Sequence, residues 1–249
     1  MKNMKNILKE TRNDPNENRA GMRGVAFIGG DGPEPSLAAH LAQGAALIVA
    51  ADSGLIAAEN AGVAPDVILG DMDSLDTPSR LDKYAPDSVR VYPRAKDYTD
   101  TELALFFLWE KGCDETWLIG GGGGRTDHLL GIERLFERDV CPDRWFTRGE
   151  SCYCLTAPQS IRLSPPAGSL VSLFPLGAGP WKIRSLGLRW ALDTAPWNRG
   201  FAGVSNETTE PLFTATAEQG RFLLILPRLP PAPVPAGTDT LPLQGPART

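Results

Sequence analysis

The sequence predicts an α/β domain built on a parallel sheet, followed by an antiparallel β domain. Three observations carry this. From Gly24 to about Glu150, short apolar runs alternate with helix-like segments. The apolar runs are nearly continuous rather than alternating, as in strands covered on both faces. Beyond Glu150 the helical pattern stops, and short strand-like segments are separated by Gly, Pro and Asn.

Taken in order, "GVAFIGG" (24–30) reads as a strand ending in glycines, and "PSLAAHLAQG" (35–44) as a helix closed by Gly44. "AALIVAADSG" supplies the second strand, and "LIAAENAG" a short helix ending at Gly62. "DVILGD" and "SVRVYP" are the third and fourth strands, "TDTELALFFLWEKG" a helix, "TWLIGG" the fifth strand and "TDHLLGIERLFE" another helix. In the second half "CYCLTA", "IRLSP", "SLVSLFPL", "WKIRSLGLRWAL" and "RFLLILP" read as strands. In "GSLVSLF" the alternation puts Leu170, Ser172 and Phe174 on one face and Val171 and Leu173 on the other. The expected organisation is a flexible lead (1–22), an α/β domain (23–150), a β domain (151–228) and a Pro-rich tail (229–249) that cannot build a core.

The chain of 249 residues is 42% hydrophobic and 22% charged, with a net charge of −5. That balance is ordinary for a globular protein and argues against a nucleic-acid surface, which needs clustered Lys and Arg. No apolar run is long enough to span a membrane, and the polar start lacks the apolar core of a signal peptide, so the expectation is a soluble, cytoplasmic protein. The four cysteines form no CxxC pair. Cys152 and Cys154 share one face of a strand, which allows half of a zinc site; the plainer reading is four small buried side chains in a reducing compartment.

The acids are placed unusually. Asp52 follows "LIVAA", Asp71 and Asp73 follow "VILG", Asp97 and Asp100 come shortly after "VRVYP", and Asp127 follows "WLIGGGGGRT". Each group lies just past the C-terminal end of a strand, the edge where open α/β sheets bind ligands. Crowded carboxylates repel and are costly to desolvate, so a divalent cation should meet them; Mg²⁺ takes such oxygen ligands together with substrate phosphates. Helix capping accounts for a few of these acids. Asp76 before "TPSR" closes a loop, and "TDTE" (99–102) fits a capping box. Capping does not explain acids at nearly every strand end.

"GGGGGRTDH" (120–128) is the second signal. Glycines between a strand and a helix let backbone N–H groups of Gly121, Gly123 and Gly124 approach an anion, and the helix N-terminus adds favourable partial charge. Arg125 can fork onto phosphate oxygens. The loop is neither a Walker A motif nor a dinucleotide GxGxxG. His128 either orients Asp127 or packs structurally.

Together "ADSG" (51–54), "GDMDS" (70–74), "KDYTD" (96–100) and "GGGGGRTDH" resemble, in order and spacing, the motifs of the thiamine pyrophosphokinase family. "LGLRWALD" (186–193) and "GVSNE" (203–207) resemble that family's C-terminal segments, and the likeness spans about Gly24 to Pro227. It implies an α/β domain followed by a β-sandwich, and a homodimer with active sites shared between subunits. It also implies Mg²⁺-dependent transfer of diphosphate from ATP to thiamine, releasing AMP. On that resemblance Asp71, Asp73 and Asp100 hold the metal, and Arg125 stabilises the transferring group. Asp97 or Asp127 orients or deprotonates the alcohol, and Asp52 and Gly54 line the nucleotide pocket. Ser205, Asn206 and Trp190 contact thiamine, although Trp190 fits a sandwich core equally well. One departure is Ser53, where the family has glycine. A diphosphokinase for another alcohol such as a pterin, or a non-catalytic thiamine- or nucleotide-binding regulator, are the competing readings.

Overall fold

The computed structural model describes residues 21–227, so the expected lead (apart from its last two residues) and the Pro-rich tail lie outside the described residues. The chain divides into two compact units between Arg148 and Gly149.

The first unit holds strands β1 (Arg23–Phe27), β2 (Leu47–Ala51), β3 (Val67–Gly70), β4 (Val89–Val91), β5 (Glu115–Ile119) and β6 (Arg144–Phe146). Its helices are α1 (Pro35–Ala42), α2 (Gly54–Asn60), α3 (Asp100–Glu110) and α4 (Thr126–Leu135). The strand order is β6-β5-β1-β2-β3-β4 and every neighbouring pair is parallel. Val25, Ala26, Phe27, Ile68, Leu69 and Leu118 are fully buried, which explains the unbroken apolar runs. From β1 the chain winds outward to β4, then returns to place β5 on the other side of β1. The loops after β1 and β5 therefore diverge at a switch point, where such sheets open a binding crevice.

Helix α3 begins with the expected capping box. Thr99 Oγ1 accepts from Glu102 N (3.2 Å), and Glu102 Oε2 accepts from Thr99 N (2.8 Å). Such a cap is worth about 1 kcal/mol. The helix is buried along most of its length, from Leu103 to Trp109, as suits an element lying across the sheet. Between β3 and β4 the chain makes 3-10 turns at Pro78–Lys83 and Pro86–Ser88. Glu59 at the end of α2 anchors this connection through ion pairs to Arg80 and Lys83 and a 2.8 Å bond from Tyr84 Oη. Asp76 closes the loop as expected, accepting from Thr77 N (2.8 Å) and pairing with Arg80.

Among the described residues, the second unit contains strands and one 3-10 turn: β7 (Glu150–Thr156), β8 (Ser160–Leu163), β9 (Leu170–Leu176), β10 (Lys182–Leu186), β11 (Gly203–Glu207), β12 (Phe213–Gln219) and β13 (Arg221–Pro227). They form antiparallel arrays, β11-β9-β13-β7 and β10-β12-β8. Val171 and Leu173 of β9, Phe222 and Leu224 of β13, Ile183 of β10 and Phe213 and Ala215 of β12 share one core cluster. The inward face of β9 is thus the one its alternation marks, and Leu170 on the other face is exposed.

Three strands escape the sequence pattern and one expected strand is shorter. β6 is three residues inside "CPDRWFTRG", too short to show periodicity. β11, "GVSNE", buries only Asn206 and has no apolar face to read. β12, "FTATAEQ", buries Phe213, Ala215 and Ala217, and beyond Phe213 its inward side chains are alanines with little apolar signal. The expected strand "WKIRSLGLRWAL" stops at Leu186. Beyond it Leu188 makes an isolated bridge to Thr208, and Leu192–Thr194 form a 3-10 turn with Leu192 N bonded to Ser185 Oγ (3.0 Å).

The Glu59–Asp76–Arg80 network sets an acid response. The Arg80 bond holds the Asp76 carboxyl down to about 2. Burial works to raise Glu59, but its bonds to Lys83, Tyr84 and Arg80 outweigh that and lower it. Carboxyls depressed in the folded chain contribute stability above the unfolded value near ~4 and lose it as pH falls toward the folded one. Urea midpoints stepped from pH 5 to pH 2 are expected to fall less steeply in Asp76→Asn than in the unsubstituted chain. Parallel profiles would place the acid sensitivity elsewhere.

Candidate active site

Three strand ends converge on one point. After β2, Asp52 adopts φ 49°, a left-handed conformation that is uncommon for a residue with a side chain, and its N–H still bonds Leu69 O (2.9 Å). β3 ends at Gly70 with φ 144°, where an added Cβ would stand 3.2 Å from both Asp100 Oδ1 and Asp52 Cβ. Only glycine lets those two acids close in across β3. Asp71 follows, and Asp100 opens α3, where the helix N-terminus favours negative charge. Carboxylate oxygens of Asp52, Asp71 and Asp100 lie within 4.8 Å of one another, the group with metal-ligand spacing among the described residues.

Asp73 is not one of the three but adjoins them, its N–H donating to Asp71 Oδ1 (3.2 Å). Met72 between them is left-handed (φ 63°), and the Asp73 carboxylate makes an ion pair with the exposed Arg94 (3.0 Å) and takes a bond from Ser74 Oγ (3.1 Å). The trio therefore contains Asp71 and Asp100 from the expected metal set, with Asp52, expected in the nucleotide pocket, in the place of Asp73.

Lys96 meets these charges. Its Nζ lies 3.0 Å from Asp71 Oδ2 and 3.2 Å from Asp100 Oδ1. The Lys96 bond lowers the Asp71 carboxyl. Asp100 is raised, by burial first and by the Asp71 and Asp52 charges, against the pull of Lys96. Burial opposes the Lys96 ammonium, yet its two carboxylate partners raise it on balance. One lysine does not satisfy three carboxylates: Asp52 Oδ1 is buried with no hydrogen bond, and Asp100 Oδ1 has the ion pair without a well-directed hydrogen bond. Orphaned hard oxygen donors at this spacing fit a divalent cation such as Mg²⁺.

The glycine loop lies across the switch point from the acids. Gly121 N bonds Gly29 O (3.0 Å), and Asp31 and Gly122 exchange backbone bonds (2.6 and 3.0 Å). Gly120 has φ 116°, and a Cβ there would fall 2.2 Å from Ile28 O, so the strand end cannot carry a side chain. Trp145 Nε1 caps Gly120 O (2.7 Å). Gly123 and Gly124, also left-handed, are exposed. The loop thus has a pinned base and an open rim. Arg125 and Asp127 follow as an exposed ion pair, with bonds of 3.1 and 2.5 Å. The Arg125 bond lowers Asp127 and raises Arg125, keeping the carboxylate ionised.

A cavity of about 820 Å³ runs between these parts, a size suited to a small-molecule site. Asp52, Lys96, Asp97 and Asp100 line one side; Gly121–Gly124, Arg125, Asp127 and His128 line the other. Gly54 does not line it. It is buried at the start of α2, where a Cβ would strike Phe27 O at 2.2 Å, so it serves close packing of α2 on β1. Ser53 fits without distortion: its φ is an ordinary −62°, and its Oγ occupies the space that a Cβ on Gly29 would need. Arg94, Arg134 and Arg138 also face the cavity and have no motif to announce them. Lys96 does have a signal, standing beside Asp97 in "KDYTD".

In the second unit Asn206 is buried and its side-chain amide is committed. Its Oδ1 accepts from Trp190 N (3.2 Å) and Glu207 N (2.8 Å), and its Nδ2 donates to Trp190 O (2.7 Å). It holds the backbone of Trp190, whose indole is 57% exposed rather than core. Ser205, left-handed (φ 60°) and exposed, bonds Ser172 Oγ through its N–H (3.1 Å). The four cysteines are thiols, and burial pushes Cys113 up to about 11 and Cys152 to about 12.

Residues 38–139 match the family model for the thiamin pyrophosphokinase catalytic domain. That stretch contains the acids, Lys96 and the glycine loop. Over 96 residues the chain is 38% identical to the thiamine pyrophosphokinase of Bacillus subtilis, covering 38% of this chain and 44% of that protein; the matched stretch thus spans less than half of the relative. Among solved structures, the thiamin pyrophosphokinase of Geobacillus thermodenitrificans is 25% identical with a TM-score of 0.65, covering 82% of this chain and 97% of that one. The Bacillus subtilis structure, at 23% identity and TM-score 0.67 over 82% and 98% of the two chains, shares the fold.

Asn206→Ala leaves the Trp190 backbone groups without their partners. It is expected to cost about 1–3 kcal/mol by urea unfolding. A change within error would show that the segment finds other partners.

Proposed function

We propose that the chain, whose residues 38–139 match the catalytic-domain model of the thiamine pyrophosphokinase family, transfers the diphosphate of ATP to the hydroxyethyl oxygen of thiamine, giving thiamine diphosphate and AMP. The observation that carries this reading is that Asp52 and Asp100, with Asp71 clustered against them, line the same cavity as a glycine loop and Arg125.

The roles follow from the site's chemistry. The rim of the glycine loop and the start of α4 receive phosphate oxygens through backbone N–H groups and helix partial charge. Arg125, with two of its five donors engaged by Asp127, keeps the rest for the phosphoryl group. Asp52, Asp71 and Asp100 would hold Mg²⁺, with Asp73 at the periphery; when bound, the ion neutralises triphosphate charge. The thiamine hydroxyl attacks the β-phosphorus, the bond from that phosphorus to the α-bridging oxygen breaks, and AMP leaves. The hydroxyl proton goes to a carboxylate of the cavity wall, where Asp97 is exposed and Asp127 is held in its ion pair with Arg125. Positioning and charge stabilisation supply most of the rate in such transfers.

Trp190 and Ser205 offer an exposed aromatic face and a hydroxyl to a cationic thiazolium, and Asn206 supports them from behind. Homodimer assembly with shared sites and a cytoplasmic location belong to the same reading.

Two measurements test it. With ATP and Mg²⁺, AMP should form only when thiamine is added, in step with thiamine diphosphate; AMP without thiamine, or none at all, would reject the activity. Asp52→Asn and Asp71→Asn should each lower kcat by at least about 100-fold, while Asp73→Asn has the smaller effect. The reverse ranking would restore Asp73 to the metal set.

A further inference from the structure

Gly131 is the one glycine within helix α4, six residues into its ten. The stripe of α4 that faces the cavity is His128, Gly131, Ile132 and Leu135, at helical spacing, with Arg134 beside it and Arg138 just past the helix end. Every member but Gly131 carries a large side chain. Nothing in the chain itself asks for glycine there. The position lies in regular helix with no left-handed φ, and an added Cβ would meet no atom within 4 Å. Glycine is the least helix-favouring residue after proline, and this one lies in the helix interior. Neither backbone geometry nor packing explains it, whereas the cavity does: the missing side chain leaves a notch in that wall.

The notch is placed for a particular part of a ligand. It lies about 7.5 Å along the helix axis from Thr126, beyond the glycine loop and the helix start where phosphates would sit. Its neighbours Ile132 and Leu135 are apolar. A group that is flat, largely apolar and tethered a short way from a phosphate chain suits such a wall.

We propose that Gly131 is a specificity-determining residue whose open notch receives the ribose and base of the nucleoside triphosphate. This rests on the reading of the cavity as a nucleoside triphosphate site. Gly131 makes no bond itself; it admits the nucleoside against the Ile132–Leu135 surface, and a side chain at this position would fill that space.

The test uses the full chain with Mg²⁺ and calorimetric titration of two probes, α,β-methylene-ATP and inorganic tripolyphosphate. Gly131→Leu is expected to weaken the ATP analogue by at least tenfold while leaving tripolyphosphate affinity within about twofold. The KM for thiamine should stay unchanged. Gly131→Ala, a milder change, should raise the melting midpoint by about 2–4 °C through helix propensity, showing that the helix accepts a side chain. Unchanged affinity for the analogue in Gly131→Leu, an equal loss for both probes, or a raised thiamine KM with nucleotide binding intact would each overturn the notch. If the unsubstituted chain binds neither probe, the nucleotide reading itself falls, and the notch with it.

Discussion

The ion pairs from Lys96 to Asp71 and Asp100 hold together an edge of the sheet that would otherwise repel itself. Like charges drawn within 4.8 Å of one another repel, and positive charge among them offsets that repulsion. The surrounding features serve that crowding. Gly70 lets Asp52 and Asp100 approach, Asp52 accepts an unfavourable backbone, and the α3 N-terminus faces Asp100. Lys96 provides one charge where three are present. The remainder shows as buried oxygens without hydrogen bonds, so the polypeptide alone leaves the site electrostatically incomplete.

The strand order explains why the parts of the site meet. Because β5 returns beside β1, the glycine loop after β5 bonds to the loop after β1. The acids after β2 and β3, and the one opening α3, gather on the other side of the same crevice. A glycine loop with exposed backbone and a cluster of carboxylates thus lie across the switch point from each other, which is the geometry behind the proposed polyphosphate site.

Much of this was legible from residues alone. Continuous apolar runs marked β1, β2, β3 and β5, and the strand ends marked the acids. The division within "GDMDS" was not. Whether Asp71 or Asp73 joins Asp52 depends on the left-handed turn at Met72, a conformation sequence does not announce for methionine. The bonds of Asn206 were not legible either: a buried amide takes whatever backbone groups lie nearest, and those are Trp190's. β6, β11 and β12 were missed because three residues, a polar "GVSNE", or a strand mostly of alanines and threonines leave little hydrophobic period to read.

Ser53 and Gly29 carry a consequence of another kind. The serine hydroxyl lies where a Cβ on residue 29 would have to stand, at 2.4 Å, so the two positions share one small volume. Their substitutions are therefore epistatic. A side chain at position 29 meets only the hydroxyl of residue 53, since the Ser53 Cβ would stand at an ordinary 3.8 Å. A mutational path that enlarges the loop after β1 is therefore eased by losing that hydroxyl first, as alanine at 53 would, an ordering imposed by volume.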